Sequence, residues 1–523
     1  MVSRAALALA ALATLSVSVA GSPLGAGAQE SQPTMLHPRL AVRPVVEGLV
    51  TPSTLAFVGP GDMLVLEKNT GQVKRVVDGR VTGVALDLAV NSASERGLLG
   101  IGLHPNFPED PGVYLYWSCR TPSPPADPFV PAQERCSDDN MFGSDSDDLL
   151  SVPLLGNRVD RFEWNEETST LSFDHNLEML RSFQNDAAPD PPNQGDQGQP
   201  PRGNHDGGVI AFGPDGKLYV IVGDLGRRGH MQNLPCGPTA TCPGSTAQDD
   251  QFGGPEPDDA HLSGVILRLN DDGTTPNDNP FFAAGAAVGG EVGANIQRIF
   301  AYGVRNSFGM AFDPLRGNLW DQQNADDAFD ELNLVEPGMN GGWIQVMGPA
   351  ERVAQFKSIE LTQPPSGGLP GAELQQVRWP PTNIADTPEQ ALSRLFMLPG
   401  ARYSDPEFSW KFAVPPAAIG FVDGTGLGPQ FRGDLFVGAA TPLTEGGYLF
   451  HFNLTGNRRK IAVDDPRLED RVADNLAKHD ITESENLLIG RDFGVTTDIE
   501  TGPNGNLFVV SLTRGAVYEI FRR

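Results

Sequence analysis

One pattern constrains this chain more than any other: an apolar, β-rich run, a turn of Pro, Gly or Asp, and a second apolar run, repeated six times. The copies run from Leu55–Phe57 to Met63–Leu66, Gly100–Leu103 to Val113–Tyr116, and Val209–Phe212 to Leu218–Val220. They continue from Met310–Phe312 to Asn318–Trp320, Ile419–Phe421 to Asp434–Val437, and Ile499–Thr501 to Leu507–Val510. Each copy predicts a β-hairpin within a sheet. Two of the turns, Gly213-Pro214-Asp215-Gly216 and Gly502-Pro503-Asn504-Gly505, are nearly identical. Proline presets one turn angle, and glycine supplies the positive φ. Such recurrence predicts an all-β, six-bladed β-propeller of four-stranded antiparallel blades.

Composition agrees with many short strands. The 523 residues include 60 Gly and 45 Pro, with only 20% charged. Propellers exceed the usual size of one domain, so residues 45–523 are expected to form a single ring. Residues 29–44 read as an N-terminal extension. The strand near Val45 is expected to pair with Ala516–Ile520 and close the ring. Closure removes free edges and makes a monomer sufficient. The insertions at 120–150 and 185–204 are too polar to bury much surface and read as loops.

The formal charge of -28 excludes a basic nucleic-acid footprint. The acidity fits a solvated surface and also calcium binding. Residues 1–28 read as a signal peptide: Arg4, the apolar run Ala5–Ala20, then Ala26-Gly27-Ala28 before Gln29. No later segment reads as a membrane span. The expected location is therefore secreted or periplasmic. Four cysteines suit an oxidising compartment, with local pairing of Cys119 with Cys136 and Cys236 with Cys242 preferred over a zinc site. Sequence does not fix the connectivity.

The segment carrying chemistry is Asn204-His205-Asp206-Gly207-Gly208, immediately before the third hairpin. That hairpin ends in Gly223-Asp224-Leu225-Gly226. A return hairpin brings its far end beside its start, so Asp224 can reach His205. A carboxylate fixes the tautomer of a histidine and raises its basicity, as a general base requires. The same spacing also suits a histidine that caps a turn.

Further segments follow in a fixed order: Glu95-Arg96-Gly97-Leu98-Leu99-Gly100-Ile101 with His104-Pro105-Asn106-Phe107; Gly264–Asn270 with Pro276–Pro280; Tyr302-Gly303-Val304-Arg305-Asn306; and Asp330-Glu331-Leu332-Asn333 with Asn340-Gly341-Gly342-Trp343. With the His205 segment, they resemble the soluble quinoprotein glucose dehydrogenases and their glucose/sorbosone dehydrogenase relatives, from about Val45 to Ile520. The resemblance implies oxidation of a sugar by hydride transfer to pyrroloquinoline quinone (PQQ), held with calcium, and re-oxidation by an external electron acceptor. It makes His205 the base, Asp224 its partner, and Arg305 and Asn306 the pair at the quinone carbonyls. An arginine there stabilises the oxyanion that forms as hydride arrives. Trp410 matches a pocket tryptophan, with core packing as its other reading. Glu95 stands where the family has glutamine.

Other positions depart from the family. Its calcium-binding Gly-Pro carbonyl pair falls on Ala325 and Asp326, with Asp327, Asp330 and Glu331 adding carboxylates nearby. The lysine and two arginines that meet the PQQ carboxylates fall on Thr441, Val495 and Thr497. So negative a cofactor needs cationic partners. Arg96, Arg227 and Arg228 are candidate substitutes. Two other functions stay open: a non-catalytic secreted propeller binding a glycan or protein, and a calcium-dependent lactonase or esterase.

Overall fold

The computed structural model of the protein describes residues 32–92, 95–118, 157–180, 205–227, 232, 236, 262–362, 379–442 and 446–523. The signal peptide, both long insertions, Arg228, Cys119, Cys136 and Cys242 lie outside the described residues, so the expectations placed on them carry no structural account.

The fold is an all-β propeller. Each sheet grows from a hairpin that the sequence marks. The turn at Gly213–Gly216 closes through Gly213 N–H to Lys217 O at 2.9 Å, and Gly216 takes φ +70°. The turn at Gly502–Gly505 repeats this, with Gly502 N–H to Asn506 O at 2.9 Å and Gly505 at φ +75°. The innermost strands are Pro52–Gly59, Leu98–Leu103, Ile210–Phe212, Gly309–Phe312, Pro416–Phe421 and Thr496–Thr501. Each meets the next, and the last meets the first, around a closed circle. Glycine permits the closest approaches: a Cβ on Gly100 would lie 2.1 Å from Gly208 O, and one on Gly420 would lie 2.1 Å from Ile499 O.

The sheet at the chain ends pairs Leu40–Glu47 antiparallel with Ala516–Arg522, setting Val46 opposite Val517. Pairing thus begins upstream of residue 45, and Thr34–Met35 adds a further edge strand beside Leu488–Arg491. The expectation of uniformly four-stranded antiparallel sheets needs correction. Among the described residues three sheets have four strands, two have five, one has six, and Leu454–Thr455 with Lys460–Ile461 form a separate two-stranded sheet. Short parallel pairs make part of the difference: Tyr302 with Asn340, Asn340 with Tyr403, and Trp410 with Ala473. They arise where long connections fold back along an outer strand and satisfy its exposed backbone groups.

Apolar side chains fill the wedges between neighbouring sheets. Leu64, Leu66, Leu98, Leu115, Trp117 and Phe162 form one such layer, all fully buried. Among the described residues no helix is long and apolar enough to cross a membrane.

Candidate active site

The inner strands and the loops at one end of the ring enclose a cavity of ≈ 340 Å³. Apolar side chains dominate its wall, including Ile101, Ile210, Met310 and Ile419. Its polar rim holds Lys68, Glu95, His205, Arg305, Asn306, Asp326 and Lys478.

His205 enters at the head of the third hairpin with φ +58°, in the left-handed region that non-glycine residues seldom occupy. Gly207 and Gly208 follow, also at positive φ. A Cβ on Gly207 would lie 2.6 Å from Ile221 O, so this tight entry requires glycine. His205 N–H donates to Glu95 Oε2 at 2.5 Å. The hairpin then returns Asp224 to its start, with His205 Nδ1 2.5 Å from Asp224 Oδ1.

Asp224 is held as an acceptor. Its Oδ1 also accepts from Gly226 N–H at 2.9 Å, and its Oδ2 from Trp343 Nε1–H at 2.7 Å. Donors on both oxygens place the His205 proton on Nδ1 and leave the Nε2 lone pair for a substrate. The structure thus brings His205 and Asp224 within hydrogen-bond distance.

Arg305 and Asn306 lie beside the pair. The Arg305 backbone carbonyl accepts from Asp224 N–H at 2.7 Å. Its guanidinium donates to Asn324 O at 2.5 Å, binds Asp326, and lies 5.3 Å from the Trp343 ring centroid. Burial works against its charge, but the carboxylates of Asp326 and Asp224 outweigh that and raise its pKa. Asn306 Nδ2 donates to Glu95 Oε2 at 3.1 Å, so Glu95 ties together the backbone of the base and the Asn306 amide. Among the described residues, Arg305 Nε and Asn306 Oδ1 are buried without a partner. Buried polar atoms are rarely left so, and these two belong to side chains that line the cavity.

Two cations that the sequence reading overlooked complete the rim. Lys68 follows strand Asp62–Glu67, and burial pushes it down to about 8 despite Glu95 and Asp206 nearby. Lys478 donates to Asp326 O at 3.1 Å and pairs with the Asp327 carboxylate. Neither stands in a motif. Lys68 lies in an ordinary turn, and Lys478 is 152 residues from Asp326 along the chain. Deeper in the cavity, burial raises Asp498 to about 6, and burial with Asp498 raises Glu500 further.

Several expected residues fall elsewhere. Trp410 is fully buried, donates to Ser484 Oγ at 3.1 Å, and packs against Phe408, Phe450 and Phe452. It is a core residue and not part of the cavity wall, because its strand turns that face toward the wedge between sheets. Arg227 does not line the cavity either. Its guanidinium binds Asp326, donates to Trp379 O at 3.3 Å and stacks 5.5 Å from the Trp343 ring centroid. Arg96 is wholly buried off the cavity wall.

The Ala325–Asp326 turn does not fit calcium. Calcium takes six to eight oxygen ligands. Here the Asp326 carbonyl accepts from the Lys478 ammonium, and its two carboxylate oxygens bind Arg305 and Arg227. Ala325 N–H is used by Asp330 Oδ1 at 2.7 Å. Asp330 also accepts from Val414 N–H at 2.6 Å, and burial raises it to about 7. Glu331 accepts from Gly348 N–H and Asn333, and burial raises it to about 8. These carboxyls brace backbone and do not converge on an ion.

PQQ fares differently. Arg305 and Asn306 line the cavity with His205, each with one unpartnered buried polar atom, and Lys68 and Lys478 bring positive charge to the same wall. The positions expected to lose charge do so: Val495 and Thr497 line the cavity without cations, and Thr441 Oγ1 accepts from Gly447 N–H at 3.1 Å. His205, Asp224, Arg305 and Asn306 thus lie together, with Lys68 and Lys478 on the same cavity wall.

The glucose/sorbosone dehydrogenase family model matches residues 49–151 and 195–359. An uncharacterised protein of Synechocystis is 27% identical over 317 residues, covering 59% of this chain and 60% of that protein. Quinoprotein glucose dehydrogenase B of Acinetobacter calcoaceticus is 27% identical over 309 residues, covering 58% and 52%. The matches thus span a little over half the length of these two relatives. The crystal structure of a glucose dehydrogenase-type oxidoreductase from Thermus thermophilus shares the fold, with TM-score 0.54, 24% identity, and coverage of 92% of this chain and 100% of that one. The chain belongs to the glucose/sorbosone dehydrogenase family.

Proposed function

We propose that this protein is a quinoprotein dehydrogenase that oxidises a C–OH group of a sugar. The observation that carries the reading is the His205–Asp224 pair opening onto a cavity whose wall also holds Arg305 and Asn306. PQQ, when bound, supplies the two-electron acceptor for the hydride leaving the sugar carbon. His205 Nε2 takes the hydroxyl proton, and Asp224 stabilises the resulting imidazolium. Glu95 holds the His205 backbone in its left-handed conformation and orients Asn306. Arg305 carries positive charge to the edge where negative charge develops. Lys68, Lys478 and Arg305 are the residues that would hold the carboxylates and carbonyls of the quinone.

The six sheets of four or more strands act as six blades, supported by the closed circle of inner strands. Export through the N-terminal signal peptide, an external electron acceptor and a monomeric state complete the proposal.

Reconstitution tests it. Apoprotein is incubated with PQQ, and dye reduction is followed with a panel of aldoses beside His205→Ala. The expected result is sugar-dependent reduction that requires PQQ and collapses in the variant. Absence of PQQ uptake at micromolar concentration would sink the reading.

A further inference from the structure

We infer that Lys478 is a built-in cation standing where the family resemblance places calcium, and that the site takes no calcium ion. Its ammonium presents the charge that would otherwise come from the metal to an acidic edge of bound quinone. The role of the ammonium toward the quinone rests on the dehydrogenase reading; the exclusion of calcium does not.

A calcium site needs carbonyls and carboxylates turned toward one point. At the turn 325–327 five of those oxygens, on Asp326 and Asp327, meet cationic or backbone donors. Asp326 O accepts from Lys478 Nζ at 3.1 Å. Asp326 Oδ1 binds Arg305, Asp326 Oδ2 binds Arg227, and Asp327 Oδ1 binds Lys478. Asp327 O accepts from Ala413 N–H at 3.0 Å. Three cationic side chains thus surround two carboxylates. A divalent ion placed among them would have to compete with three cations for the oxygens of Asp326 and Asp327.

The lysine is held by a built loop. Asn475 is fully buried; its Oδ1 accepts from Phe412 N–H at 2.7 Å, and its Nδ2 donates to the carbonyls of Phe412, Ala477 and Asp480. His479 N–H donates to Ala413 O at 2.8 Å. These bonds clamp residues on both sides of Lys478 to the backbone just beyond strand Phe408–Phe412. The Lys478 side chain lies along the cavity wall and is 24% exposed. An ammonium so placed is both fixed in position and open to a ligand carboxylate.

The test uses the full chain. Calorimetric titration of chelator-treated protein with calcium chloride is run with and without PQQ, beside melting curves in EDTA and in millimolar calcium. PQQ affinity is then measured by absorbance titration for wild type, Lys478→Met and Lys478→Arg, each checked for native melting. The inference expects no saturable calcium heat and no calcium-dependent rise in melting temperature for wild type. It expects PQQ affinity about tenfold or more weaker in Lys478→Met, a loss of roughly 1.4 kcal/mol, partly restored in Lys478→Arg. One-site calcium binding by wild type overturns the exclusion of metal. Unchanged PQQ affinity in a folded Lys478→Met overturns the role of the ammonium. Wild type that binds neither PQQ nor calcium defeats the quinone reading and leaves the exclusion of calcium standing.

Discussion

Asp224→Asn isolates the catalytic pair with little change of shape. In the wild type, N–H groups that point at the Asp224 carboxylate include His205 Nδ1 and Gly226 N on Oδ1, and Trp343 Nε1 on Oδ2. Asparagine offers one carbonyl oxygen and one NH₂, so the amide must face at least one of those donors. If the amide faces Trp343, His205 keeps its tautomer but loses the charge that stabilises its imidazolium, and the indole N–H is orphaned. If it faces His205, the imidazole must move its proton to Nε2, and Gly226 N–H is orphaned. An orphaned buried donor costs about 1–3 kcal/mol of stability. Loss of effective base catalysis costs about 10²–10⁴ in kcat. The assay is PQQ-reconstituted dye reduction, with urea unfolding of the same preparation. The sugar KM should move little, because the Asp224 side chain lies behind the base. A folded variant with wild-type kcat would refute the assignment of His205 as base.

Other parts of the structure predict different outcomes. Trp410→Ala should cost about 3–5 kcal/mol in urea unfolding, as a buried aromatic truncation does, while a folded fraction keeps its PQQ affinity; a specific loss of affinity would return Trp410 to the cavity. Gly420→Ala drives a Cβ to 2.1 Å from Ile499 O, a backbone atom of the neighbouring inner strand. Overpacking of this kind costs about 1–3 kcal/mol or more, and a wild-type melting temperature would show that the ring yields more easily than its contacts suggest. Asp321 is fully buried and raised by burial to about 7, so the folded state keeps a proton that the unfolded chain releases. Its stabilising contribution is present below the ordinary carboxyl pKa, about 4, and is lost as pH rises through about 7. Asp321→Asn should therefore flatten the fall in urea midpoint between about pH 4 and pH 7; an unchanged slope would place the titration elsewhere.

What could be read from the sequence was local. The Gly213–Gly216 and Gly502–Gly505 turns name their own hairpins, because proline and a terminal glycine specify the backbone angles directly. The His205–Asp224 contact was legible for the same reason, since one hairpin joins the two residues. Trp410 was not legible. A tryptophan on a strand reads alike whether its face meets a cavity or a wedge of Phe408, Phe450 and Phe452, and neighbouring sheets decide which. The two-residue parallel strands at Met339–Asn340 and Val472–Ala473 were equally hidden, since they depend on where long connections return. Arg227 was misplaced by the same kind of ignorance: its partner Asp326 lies 99 residues away.

This difference between near and far explains why one half of the site keeps its positions and the other does not. Proton abstraction needs a lone pair at a fixed angle and distance, so base and partner gain from a short covalent connection. Attraction between an ammonium and a carboxylate falls slowly with distance and has little directionality. Any loop reaching the rim can supply it, whichever sheet it belongs to. Lys68 comes from the first hairpin and Lys478 from a loop late in the chain, yet both line the same cavity as Arg305. The two kinds of residue should then separate in kinetics. Lys68→Met should weaken PQQ binding about tenfold, as loss of one charge-assisted contact does, with kcat at saturating PQQ close to wild type. Binding to wild type should also weaken above about pH 8, where Lys68 loses its proton, and that limb should vanish in the variant. A Lys68→Met protein with normal PQQ affinity, or with kcat lost as deeply as in His205→Ala, would show that charge and geometry are not divided in this way.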